Sequence, residues 1–275
     1  MSQRRPNWFI HGVAFLTAFI LIAPIIIAVT MSFTTSDSLR FPPEGFSTKW
    51  YQAMINEPKW QDRLPVSLKV AFLSAIMATS VSTLTAFALE RSSMRGKNLL
   101  STLFIAPLIV PVVVLGTGDF FVFANGWTIG SFSFGGKMIG TIIGLVLAHT
   151  VIAIPYPFVT VRASLVNFDS TLEMAAKNLG ASPFKTFMTI TLPIIMPGVL
   201  SGFIFSFIAS WDEVVLASFM SSSRISTIPV QIFQQLRDSL DPSAAAISSM
   251  LLLVSITLVG ILALSRKKPN AERED

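Results

Sequence analysis

Cysteine is missing from all 275 residues. That excludes a disulfide scaffold, a cysteine nucleophile, an iron–sulfur cluster and cysteine-bound zinc. Histidine is nearly missing too: His11 and His149 are the only two, so a histidine metal site would need carboxylates to complete it. Charge is scarce. Asp, Glu, Lys and Arg make up 13% of the chain, where a soluble domain carries about 25%. With 52% apolar residues and a mean hydropathy of +0.67, the bilayer is the better solvent, and intrinsic disorder is excluded. The net charge of +5 suggests nucleic acid at first sight, but no basic run of five residues exists. The longest run, Arg266-Lys267-Lys268, sits beside an apolar stretch and reads as a stop at the membrane surface, so no nucleic-acid partner is expected. No nucleophile–base pair or metal-ligand cluster lies in or near the apolar stretches. The sequence therefore predicts no catalytic residue and no metal site.

What is present is a series of long apolar runs. A hydrocarbon core about 30 Å thick needs roughly 20 helical residues to cross it. Six stretches meet that length, at about 9–31, 69–89, 98–120, 138–161, 198–219 and 242–265. The expectation is an all-α integral membrane protein with six transmembrane helices. The first run is too long for a signal-peptide core and is followed by five more, which favours an uncleaved first helix. Twelve of the 20 bases fall on one side if both termini are cytoplasmic, and the short loop Arg91 to Lys97 holds three of them. The positive-inside rule thus predicts an N-in, C-in topology.

Between the fourth and fifth spans lies a polar insert, about 168–193. Ser170 and Glu173 have capping-box spacing, and Leu172, Ala175, Ala176 and Leu179 share one helical face. Gly180 suits a left-handed C-cap. Ser182-Pro183 then reopens a helix as N-cap and N1, and Pro193 is expected to end it. Two short amphipathic helices on the cytoplasmic side are predicted. They either pack on their own bundle or dock a soluble partner.

The pattern Ala175-Ala176-x-x-x-Gly180, nine residues, then Ile190-x-Leu192-Pro193 resembles the EAA loop of ABC importer permeases. The spacing matches throughout. One position departs, because the glutamate of the family pattern is Met174 here and Glu173 stands one place earlier. Pro107-Leu108-Ile109-Val110-Pro111, Leu179 to Ser182, Ser210-Trp211-Asp212-Glu213 and the outer segment Phe46 to Tyr51 look like the spermidine/putrescine-type permeases. The likeness covers roughly residues 10 to 265. It implies a single transmembrane permease domain over 1–275, in a bacterial cytoplasmic (inner) membrane. It further implies an ABC ATPase dimer docked on the loop, a second permease subunit of similar but distinct sequence, and a periplasmic or extracellular substrate-binding protein. Glu173, Met174, Ala175, Ala176, Gly180, Ile190, Leu192 and Pro193 are the implied coupling residues. The chain has no Walker A sequence, so it should bind no cofactor itself, with ATP and magnesium used by the partner ATPase.

Carboxylates inside a bilayer are costly and usually face a cavity or a partner. Asp119, Asp212 and Glu213, with Ser210 and Trp211 beside the pair, are the candidate substrate pathway for a small cationic solute, a polyamine or an opine or amino-acid derivative. The competing reading places these acids at the outer interface or in a salt bridge, and Trp211 in an interfacial belt. His149 reads as a packing or polar-network residue. The alternative function is a secondary transporter or channel working without an ATPase, although no internal repeat of the kind such proteins often carry is visible.

Overall fold

The computed structural model describes residues 8–129, 132–134, 136–238 and 241–265. The basic cluster Arg266-Lys267-Lys268 lies outside the described residues. The chain forms two compact units, residues 1–61 with 232–253, and residues 62–231 with 254–275.

In the first unit, α1 (Trp8–Ser32) is apolar along its length and exposes Trp8, Phe15 and Leu21. Only its last two residues, Met31 and Ser32, are buried. The Ser32 hydroxyl pairs with the Tyr51 hydroxyl of α2 (Lys49–Asn56) at 2.7 Å, and the Trp50 indole donates to the Thr34 carbonyl at 2.9 Å. The segment around Trp50 and Tyr51 is thereby tied to the end of the first helix.

The second unit opens with the body of α3 (Pro58–Arg91), 34 residues long and well beyond the 69–89 predicted for it. The third span departs more strongly. Helix α4 (Lys97–Ile105) tightens into a 3₁₀ turn at Ala106–Leu108 and stops, and α5 (Val112–Asn125) leaves at 103°. Proline explains the break. Pro111 has no N–H to donate back to Pro107, and it pushes Val110 out of the helical region. A hairpin of β1 (Trp127–Ile129) and β2 (Phe132–Phe134) follows, a small exception to the all-helical expectation.

The fourth span is bent rather than broken. Helices α6 (Ile142–Ala153) and α7 (Pro155–Val166) meet at 43° and reach five residues past the predicted end. Pro157 cannot bond the Ala153 carbonyl, and the Ser206 hydroxyl supplies that bond at 3.0 Å from a neighbouring helix. Ser82 donates to the adjacent Ile154 carbonyl at 2.8 Å. The Ile154 carbonyl also keeps the Phe158 amide at 3.3 Å, so it is Ser206 that replaces an amide removed by proline, which is how a kinked helix survives without water.

The polar insert gives α8 (Thr171–Asn178) and α9 (Pro183–Thr186). Pro193 does not end a helix as expected. The chain passes through a π turn at Phe187–Thr191 directly into α10 (Leu192–Trp211), so Pro183–Trp211 is one helix of 29 residues. The wider turn changes the bonding register, which lets a proline in the next turn be tolerated. The fifth span therefore begins near 183 instead of 198. It also ends early, at Trp211, and the rest of the predicted span is a separate helix α11 (Val215–Met220).

Helix α12 (Ile228–Asp238), which the hydropathy runs did not mark, precedes α13 (Ser243–Ser265). Four helices are long and apolar enough to cross a membrane, and the two bent pairs bring the number to six if each is one span.

Glycine sets the closest packing, between α7 and α10. A Cβ on Gly202 would collide with the Pro157 backbone and the Thr160 hydroxyl, and one on Gly198 with Ser164. Small residues at such crossings let helix backbones approach where lipid supplies no hydrophobic drive. One apolar cluster, including Leu145, Leu216 and Met220, fills the α5–α6–α11 junction. A second, including Leu89, Phe158, Leu165 and Ile195, fills the end nearest the polar insert.

Candidate functional site

The polar insert is built as a presented helix. Asp169 Oδ1 accepts the Thr171 amide at 2.9 Å, which starts α8 and holds that exposed carboxyl below its ordinary range. Ser170 makes no side-chain cap, and Glu173 does not reach back to it. The expected capping box is thus absent, because Asp169 takes the role and Glu173 is engaged elsewhere. At the other end Gly180 adopts φ +81°. Its amide bonds Lys177 and the Ala181 amide bonds Ala176, each at 3.0 Å, a Schellman closure that only a left-handed residue permits. Ser182 caps the next turn by accepting the Lys185 amide at 3.3 Å.

The predicted coupling residues divide by direction. Ala176 is buried, and Ile190 and Leu192 pack against the second cluster. Met174 at 56%, Leu179 at 88% and Phe184 at 72% exposure point away from the bundle, with Ala175 exposed beside them. Gly180 and Pro193 are exposed as well. The apolar side of α8 is therefore left largely uncovered by this chain.

Glu173 turns inward. It accepts two bonds from the Arg91 guanidinium, at 2.7 and 3.2 Å, and one from the Thr191 hydroxyl at 2.7 Å. Arg91 lies over the rings of Phe168 and Phe87, 5.4 and 6.0 Å from their centroids. Its neighbour Glu90 accepts Arg162 of α7 at 2.7 Å and faces Lys97 of α4 at 3.9 Å. Sequence reading counted Arg91 and Lys97 only as topology signals and did not single out Arg162. Their acidic partners are too distant in the chain for spacing to reveal; Arg91 and Glu173 are 82 residues apart.

The candidate pathway residues separate. A cavity of about 500 Å³ lies between the α4–α5 break, the α6–α7 bend and the end of α10. Pro107, Leu115, Tyr156 and Phe205 help line it, and Asp212 and Glu213 supply its carboxylates. Asp212 is exposed there, while Glu213 also accepts the Leu216 amide in the first turn of α11. Asp119, Ser210 and Trp211 are not in the lining. Ser210 bonds His149 Nδ1 at 2.7 Å, deep between α6 and α10. Trp211 is 1% exposed and stacks on Phe207, so it is a core residue in place of an interfacial one. Asp119 stands partly buried on α5, with no bond to Oδ2 among the described residues. Tyr156, which sequence reading passed over, contributes a phenol to the cavity. The cavity pairs two carboxylates and an aromatic ring with apolar walls, a composition suited to a cation with an alkyl body. Among the described residues no group of three or more His, Asp or Glu side chains could hold a metal.

Bent and broken helices long and apolar enough for a membrane surround an acidic cavity, and a capped helix is presented beside them. Residues 78–268 match the family described as binding-protein-dependent transport system inner membrane component, and the chain belongs to that family of ABC importer permeases, multi-pass proteins of the inner membrane. Among its relatives, the spermidine/putrescine transport system permease protein PotC of Haemophilus influenzae is 34% identical over 251 residues, covering 91% of this chain and 93% of that one. The putrescine transport system permease protein PotI of Escherichia coli is 33% identical over 249 residues, covering 88% and 85%. In fold, the chain resembles a bacterial alginate ABC transporter solved with a periplasmic protein carrying an alginate pentasaccharide, with TM-score 0.73 and 15% identity over 95% of both chains. It also resembles the MetNI methionine ABC transporter in an inward-facing conformation, with TM-score 0.57 and 15% identity over 76% of this chain and 95% of that one.

Proposed function

We propose that this chain is one of two permease subunits of an ATP-driven importer of polyamines, with its termini and α8 in the cytoplasm. The observation that carries the reading is the 34% identity to a spermidine/putrescine permease over 91% of the chain. The acidic cavity supports it, since Asp212 and Glu213 offer opposite charge to an ammonium group and Tyr156 offers an aromatic face.

In this mechanism a binding protein outside the membrane delivers the solute above the cavity. A pair of ATPases engages the exposed Met174, Leu179 and Phe184 side of α8 on the inside. ATP and magnesium act in those partners. Closure of the ATPases moves α8, and the bends at Pro111 and Pro155 are the points at which spans can swing without breaking internal bonds elsewhere. The second permease is a similar but distinct chain that completes the pathway.

The test is uptake of labelled spermidine by proteoliposomes holding this chain with its second permease, ATPase and binding protein. ATP-dependent accumulation, competed by putrescine, is expected. Accumulation by this chain alone, without ATP, would overturn the importer reading in favour of a self-contained transporter. Competition by amino acids in place of polyamines would move the substrate class.

A further inference from the structure

The carboxylate of α8 faces its own bundle. Met174, at the position where the family pattern has glutamate, is exposed and uncharged, so this chain presents no carboxylate outward from there. Glu173, one position earlier and about 100° around the helix, is bound on three sides by groups of the same chain. Arg91 comes from the last residue of α3, and Thr191, fully buried, from the last residue of the π turn that feeds α10. A local cap does not account for this arrangement, because Asp169 already starts the helix. Nor is it a surface ion pair of the loose kind. The Arg91 and Glu173 side chains are 27% and 17% exposed, and the two guanidinium bonds fix direction as well as distance. Phe87, itself against Phe187 at 4.7 Å, and Phe168 hold the guanidinium in place.

We propose that Glu173 is a positioning residue that clamps α8 to the ends of α3 and α10, so that a push on α8 moves both spans as one body. The proposal rests on the reading that α8 receives the ATPase. Without the clamp, α8 is joined to the neighbouring elements only through the short non-helical connections at 167–170 and 179–182 and the packing of Ala176, where its displacement would be absorbed. The neighbouring Glu90 extends the same joint to α7 and α4 through Arg162 and Lys97. The end of α3 is then where α4, α7, α8 and the start of α10 meet.

The cysteine-free sequence allows a direct test in the assembled transporter. Spin labels at Val81→Cys on α3 and Lys177→Cys on α8 report the separation of the two helices, with and without ATP turned over and ADP trapped by vanadate. Uptake per ATP hydrolysed is measured on the same complexes. The expected result is a narrow distance distribution that ATP does not alter in the native chain and that broadens in Glu173→Gln. Uptake per ATP should fall about tenfold, roughly 1.4 kcal/mol of lost coupling, while ATPase copurification is kept. The exchanged pair Arg91→Glu with Glu173→Arg should narrow the distribution again and recover part of the uptake. An unchanged distribution and an unchanged ratio in Glu173→Gln overturn the clamp. Loss of ATPase binding with the distance unchanged overturns it too, by making Glu173 a docking contact. If Glu173→Gln gives no monodisperse complex, Thr191→Val removes the third bond and is read by the same criteria. If the native complex takes up no spermidine, the polyamine reading fails, and the distance measurement still decides the clamp.

Discussion

Single residues in this chain act by what they lack. Gly202 has no side chain because the Pro157 backbone occupies the place of its Cβ, and Gly260 on α13 has none with only open space around it. Gly202→Val should therefore destabilise the purified protein by about 1–3 kcal/mol through overpacking. Gly260→Ala should leave it unchanged or slightly steadier. Thermal unfolding in detergent, followed for both variants side by side, checks the contrast. The cavity carboxylates differ in the same spirit. Asp212 is exposed in the cavity with no helix to support, so Asp212→Asn should raise the half-saturating spermidine concentration about tenfold, the range of one charge-assisted contact. Thermal stability should not change. Glu213→Gln also weakens the bond to the Leu216 amide, so uptake and stability should fall together. A variant pair in which Asp212→Asn lowers stability but not affinity would reverse these roles.

At the scale of elements, the presented helix is the part most open to test. Leu179 and Phe184 are apolar side chains left largely exposed among the described residues. Leu179→Asp and Phe184→Asp should change stability by less than about 0.5 kcal/mol, as surface substitutions do. Copurification of the ATPase should nevertheless be lost, which a pull-down from membranes measures. Gly180→Val attacks the same element from within, since a β-branched residue at φ +81° is strained by about 1–2 kcal/mol. It should unwind the Schellman closure and lower uptake, with the rest of the bundle intact. Much of this element was legible in the sequence: Gly180 as a left-handed end and Ser182-Pro183 as a start depend on neighbours a few residues away. Glu173 was misread as a cap because its partners, Arg91 and Thr191, are brought to it by folding alone. Pro193 was misread as a terminator because a π turn relieves a proline without ending the helix, and composition carries no sign of that turn.

For the whole molecule, the apolar runs coincide with helices where these are straight and depart from them where they bend. The first and last apolar runs lie within a few residues of the helices Trp8–Ser32 and Ser243–Ser265. The third, fourth and fifth carry prolines or an acidic break, and there the apolar run says nothing about direction. The 103° turn at Pro107–Pro111 and the end of α10 at Asp212 are what open the cavity. His149 behaves as the polar-network residue the sequence suggested, but its partner Ser210, proposed for the pathway, is held in that network 61 residues away.

The continuity of Pro183–Trp211 has one further consequence. A rigid rod has a phase as well as a length. One alanine inserted between Thr191 and Leu192 would rotate everything beyond it by about 100°, turning Ser206 away from Ala153 on α6 and Gly202 away from Pro157 on α7 while Phe184 kept its heading. Four inserted residues would bring the faces nearly back into line, one turn further along. Spermidine uptake across insertions of one to four alanines should accordingly fall and then partly return at three or four, following the period of a helix. A loop joining the same two regions would tolerate all four alike.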